Sequence, residues 1–308
     1  MAAMGRWGRK MIDPGFDEYV RVFGPQVDME TEKLRKAYSD VLNPLREVSM
    51  VQSYLNDHRP SPPPSEPRAF YVLGTLTVQL LEGIYASLGL GAPVAAATCF
   101  RSLFEVLLSA KLIAESDSVN RSSLYMNFEK HLRGVHLDRG TKAGVSPPPE
   151  IDVDKAKAEA IAVRGDYDST GVHWWSKIMW TSEKDRKKSF GTSGAAAYLD
   201  KKGVPSGIDR VSFAELGVRW FSTFSSVAHG SIAAANVMPS FGGRPMAWKL
   251  NPDSVRLAAL AVAAGAEVIS VCEEGRSHPK FQWSRVKLKS IAEAALEAQL
   301  RLENQPIR

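Results

Sequence analysis

One run constrains this chain more than any other. Residues 89–105, GLGAPVAAATCFRSLFE, open on a turn bearing glycine and proline and continue as a helix to Glu115. Phe100, Leu103, Phe104, Val106, Leu107, Leu108 and Leu112 cover almost every side of that helix. Arg101 and Glu105 stand four apart among them, neighbours on one face. A charge in such a setting has to be paired or hydrogen-bonded, because burying it alone is very costly. Arg before Glu is the weaker order for a helical ion pair, so surface stabilisation does not account for the two residues. They allow two readings, a polar site inside a helical bundle or an ion pair that fixes helix register.

The remaining apolar pattern is helical almost throughout. Leu34, Tyr38, Val41, Leu45, Val48 and Leu55 form one stripe, interrupted at Asn43-Pro44, where a second helix can start. Residues 58–68, HRPSPPPSEPR, form a stiff proline-rich linker. Helices are expected over 70–88, 92–115, 119–137, 154–163, 194–200, 211–236, 252–274 and 284–303. The helix over 252–274 has Asn251 as N-cap, Pro252 as first residue and Gly275 as stop. It is apolar nearly all round and therefore central. No segment alternates apolar and polar residues as a strand would. The expectation is an all-α fold, a helical bundle of about five to seven helices. Residues 1–57 form a helical N-terminal extension, 58–68 the linker and 69–308 the bundle, with an irregular insert over 138–210.

Composition sets outer bounds. The chain has 308 residues, 44% hydrophobic and 24% charged, enough to bury a sizeable core. A net charge of +5 permits an acidic partner without requiring one. Cys99 and Cys272 each stand alone in an apolar run and fit neither a metal spacing nor a disulfide framework. They point to a reducing, cytoplasmic setting. Two uncharged windows have the length of membrane spans. The window 83–100 is broken by Gly89, Gly91 and Pro93, and 220–243 carries several serines, His229 and Asn236, so no membrane partner is expected.

A second polar constellation lies in the helix over 211–236. Glu215, Arg219, Ser222, Ser226 and His229 recur at spacings of three and four, which aligns them on one face. Phe213, Leu216, Trp220, Phe224 and Val227 cover the opposite face. The polar stripe lacks the long Lys and Glu side chains usual on a wet face, and its small serines suit a closely packed neighbour. Ser225 and Ser226 lie four and three residues before His229, so either hydroxyl can reach toward the imidazole. His229 is either a satisfied structural residue or a general acid or base, for which its ordinary pKa suits it.

FRSLFE after GLGAPVAAAT, with SSVAHG far downstream, resembles a family of bacterial all-helical proteins described as a domain of unknown function. The positions that carry the likeness are Arg101, Glu105, Ser225, His229 and Gly230, with Trp175 and Tyr198 in the insert, across residues 70–235. The resemblance implies an all-α fold and an intracellular bacterial protein. More loosely, the chain looks like the HEPN superfamily of nucleotide-binding helical bundles, many of them RNases of defence systems. The HEPN signature places Arg a few residues before His on one helix. Here Arg219 precedes His229 by ten residues, about three turns.

Weaker motifs compete poorly. DYDSTG, residues 166–171, starts like a calcium loop, but Lys177 stands where a bidentate Glu is needed. His131 and His136 are five apart and point to different sides, so neither a metal nor a cofactor is expected. His173, Trp174, Trp175 and Trp180 precede the basic run EKDRKK, residues 183–188. Such aromatics either stack on a nucleic-acid strand or dock the insert onto the bundle.

Two functions follow. One is a binding or interaction module in which Arg101, Glu105, Ser225, Ser226, Arg219 and His229 form a buried polar cluster. Its partner is a nucleic acid, a phosphorylated ligand, another protein or a second copy of the chain. The other is a HEPN-like enzyme acting on RNA or a nucleotide in bacterial defence. There Arg101 would hold a phosphate or Glu105, and His229 would be the acid or base.

Overall fold

The computed structural model describes residues 28–29, 31–58, 67–167, 173–179, 190–208, 211–218 and 252–303. Among these the fold is all-α, with no strand. Six long helices dominate: α1 (Ser39–Asp57), α2 (Arg68–Gly89), α3 (Pro93–Glu115), α4 (Ser118–Lys142), α8 (Pro252–Gly275) and α9 (Phe281–Glu303). Between them lie α5 (Val153–Val163), α6 (Thr192–Lys201), the single turn α7 (Phe213–Leu216) and two 3₁₀ turns. Among the described residues the α-helices outnumber the expected five to seven, since the short α5, α6 and α7 stand beside the six long ones.

Helix α8 is the axis of the bundle. It packs against α1, α2, α3 and α9. Between its exposed ends, Pro252 with Asp253 and Glu274 with Gly275, only a narrow line of Arg256, Leu260, Ala263, Glu267 and Ser270 reaches solvent along it. A helix apolar on nearly every side has no stable place except between other helices. The α2–α8 contact is close. A Cβ on Gly275 would lie 2.2 Å from the ring of Phe70, which is wholly buried.

Helices α2, α3 and α8 are each long and apolar enough, by length and composition, to cross a membrane. Their apolar faces are turned on one another, since every pair of the three is in contact. On α2 the outward residues Tyr71, Thr75, Gln79, Glu82 and Ala86 recur at helical spacing and form one wetter stripe. The window 83–100 is the end of α2, a turn and the start of α3, as its glycines and proline imply. Gly91 in that turn has φ +68, a conformation that a Cβ would strain, and Pro93 opens α3 at its first turn. The window 220–243 lies outside the described residues.

Two local expectations need correction. The interruption expected at Asn43-Pro44 does not occur. The helix begins at Ser39 and runs through Pro44, which is buried near its start. There the ring removes only one early hydrogen bond while Leu42 and Leu45 stay in the core. Helix α1, in the segment expected as a helical N-terminal extension, packs on α2, α8 and α9 and shares their core. The loop expected to start at 138 begins only after Lys142. From there the chain returns as α5 against α4, so closely that a Cβ on Gly134 would sit 2.4 Å from that of Ala160.

Candidate functional site

Helix α3 changes character along its length. From Phe100 onward its core side is sealed by Phe100, Leu103, Phe104 and Leu107, each at most 2% exposed. On the opposite side of the first half, Ala95, Thr98 and Ser102 are exposed. Arg101 and Glu105 sit at the border of these two surfaces. Their side chains are 32% and 36% exposed, and Arg101 Nε stands 3.8 Å from Glu105 Oε1. The pair was expected inside the bundle; it is half-buried and reached by solvent. Burial pushes the Glu105 carboxyl above the usual carboxylate range, and the Arg101 guanidinium pulls it partly back.

One turn further on, the same face is roofed. Ser109 is buried, and its hydroxyl accepts a hydrogen bond from the Trp174 indole N–H at 3.2 Å. The neighbouring Trp175 is 2% exposed, and its N–H donates to the Phe190 carbonyl at 2.7 Å. His173 stacks on Trp175, with centroids 4.6 Å apart. Satisfied and buried, these indoles dock the insert onto the bundle. Trp175 therefore presents no open face on which a base could stack. Tyr198 is half-buried on α6, which packs on α3, and the Lys202 amine lies 5.6 Å from its ring centroid. The expected partner residues Arg219, Ser225, Ser226 and His229 lie outside the described residues, as do Trp180 and the basic run 183–188. Of the segment 211–236 the described part holds the single turn α7, where the Ser212 hydroxyl caps by accepting from the Glu215 N–H at 3.1 Å.

The charges that the bundle does bury were missed in the sequence. Arg276 Nη1 donates to Glu273 Oε1 at 2.7 Å, with side chains 1% and 0% exposed. Gln52 of α1 donates to the same carboxylate at 3.2 Å, tying α1 to the end of α8. Beside them the Lys280 backbone N–H donates to His278 Nδ1 at 3.0 Å, which leaves Nε2 to donate to the Leu55 carbonyl at 3.2 Å. Lys111 of α3 is also buried and pairs with Glu267 of α8. A signal for this second pair existed. Lys111 and Glu267 are charges of opposite sign, each set in a strongly apolar helix. Glu273 and Arg276 gave no such sign, because residues around a helix stop normally face water.

A scan against protein-family models, a search of curated proteins and a search of solved structures found no match to this chain.

Proposed function

We propose that this protein is an intracellular helical binding module whose Arg101–Glu105 pair takes the phosphate of an acidic ligand. The observation that supports this reading is the contrast between two ion pairs of one molecule. Glu273–Arg276 is short and sealed, whereas Arg101–Glu105 is long and open. An ion pair on a wet face adds little stability, so register-locking is a poor reason to keep one there. A guanidinium that solvent reaches can grip a phosphate with two parallel hydrogen bonds. In this reading Ser225, Ser226, Arg219 and His229 add hydroxyl, guanidinium and imidazole donors to the same ligand. The loose likeness to HEPN proteins favours RNA or a nucleotide as that ligand, and the resemblance to the bacterial helical family favours the bacterial cytoplasm as the location.

A second reading, a HEPN-like enzyme processing RNA or a nucleotide, draws support from Glu105. A half-buried carboxyl with a raised pKa is suited to proton transfer, with His229 as its counterpart. One experiment separates the two readings: binding and cleavage of an RNA oligonucleotide by wild type, Arg101→Ala and His229→Ala. The binding reading expects Arg101→Ala to weaken binding about tenfold, the loss of one charge-assisted contact, with folding intact and no cleavage by any form. Cleavage by wild type that His229→Ala abolishes selects the enzyme. Equal binding by all three forms, without cleavage, sinks both.

A further inference from the structure

The start of α9 carries a surface that the α3 site does not use. Between residues 275 and 292 there are five cations and no carboxylate. Arg276 is consumed inside the bundle by Glu273. Lys280 is partly exposed, and Arg285, Lys287 and Lys289 are exposed. Acidic residues resume on α9 only at Glu293, which stands 3.7 Å from Lys289 as an exposed pair. On α1 the nearest acid in sequence to the rings described next is Asp57, at the end of the helix.

Beside these cations runs a short row of rings. His58 and Tyr54 have centroids 4.0 Å apart, and Tyr54 and Trp283 have centroids 5.2 Å apart. Tyr54 is 38% exposed and Trp283 48%. An indole left that open costs solvation unless something covers it. Lys280 joins the two sets, its amine donating to the Tyr54 hydroxyl at 2.5 Å. The row is held in place by the core. Leu55, next to Tyr54, and Ser284, next to Trp283, are wholly buried, and α1 packs directly on α9.

We propose that this α1–α9 face binds single-stranded nucleic acid, with phosphates on Lys280, Arg285, Lys287 and Lys289 and a base stacked on Trp283. Cations flanking an exposed aromatic row match the two needs of a single strand, backbone neutralisation and a π surface. An anionic membrane fits less well. The outward side of α9 turns acidic at Glu293 and Glu297, and no continuous apolar stripe follows Val286. The face is separate from the α3 pair, since α9 packs on α1 and α8.

The test is fluorescence anisotropy of a labelled oligo(dT) of about 15 nucleotides, titrated with the full-length protein. Wild type is compared with Trp283→Ala, with Lys287→Ala/Lys289→Ala and with Arg101→Ala, each checked for folding by circular dichroism. The double lysine variant is expected to lower the slope of log affinity against log salt by roughly 1 to 1.5. Trp283→Ala is expected to weaken binding about tenfold. Full retention of affinity in both α9 variants, or no binding by wild type, overturns the proposal. So does a dependence on these residues for anionic phosphatidylserine vesicles but not for the oligonucleotide. Arg101→Ala keeps the two surfaces apart: a loss confined to that variant places the strand on α3 and rejects the α9 face.

Discussion

Arg276 and Glu273 meet at 2.7 Å inside the bundle, with almost no part of either side chain open to water. Three residues apart at the end of α8, they hold the helix terminus against α1 through Gln52. Removing one partner strands a buried charge. Arg276→Met is expected to destabilise the protein by about 3–5 kcal/mol, and Glu273→Leu/Arg276→Met to recover most of that loss. Urea unfolding of the two variants checks this, and equal instability would show that shape rather than charge holds the junction.

Glu105 predicts a pH dependence. Its carboxyl is raised in the folded state, first by burial and against the pull of Arg101. The folded protein therefore holds this proton more tightly than the unfolded chain does. That contribution is fully present below the unfolded pKa and is lost as pH rises through the folded pKa. The melting temperature of wild type should accordingly lose ground relative to Glu105→Gln as pH rises across this window. A difference that stays flat with pH rejects the assignment.

Gly275 ends α8 where no side chain fits. A Cβ there would lie 2.2 Å from the Phe70 ring, which cannot retreat because it is wholly buried. Gly275→Ala should cost about 1–3 kcal/mol, the usual penalty of overpacking. Adding Phe70→Leu should return part of the stability if the clash is the cause. Calorimetric melting of the single and double variants measures both effects.

The two cysteines should differ in reactivity. Burial raises both thiols, Cys272 far more than Cys99, and Cys99 is only partly covered. At neutral pH an alkylating reagent should label Cys99 slowly and Cys272 only on unfolding. Mass spectrometry of the native protein distinguishes this from equal labelling.

The division between what was legible and what was not follows from locality. Periodicity over 252–274 carries its meaning within the segment, so the central place of α8 could be read directly, and so could Pro252 at its first turn, Gly275 at its end and the turn around Gly91. The roof of Trp174 over Ser109 joins residues distant in the chain, so nothing within either segment states it, and the lone charges Lys111 and Glu267 each signal a need for a partner without naming it. The same limit misplaced the buried charge. Arg101 and Glu105 look enclosed because their sequence neighbours are apolar, yet a helix presents different faces to different surroundings, and theirs borders water. Glu273 and Arg276 look exposed because they flank a helix stop, yet that stop is driven into the junction of α1, α2 and α8. The amino-acid sequence by itself determined that this chain is helical, which helix lies at the centre and where the turns on either side of α3 fall. Only the tertiary structure decided which charges are sealed and which are open, because burial is set by the segments that cover a face and not by the residues that adjoin it in the chain.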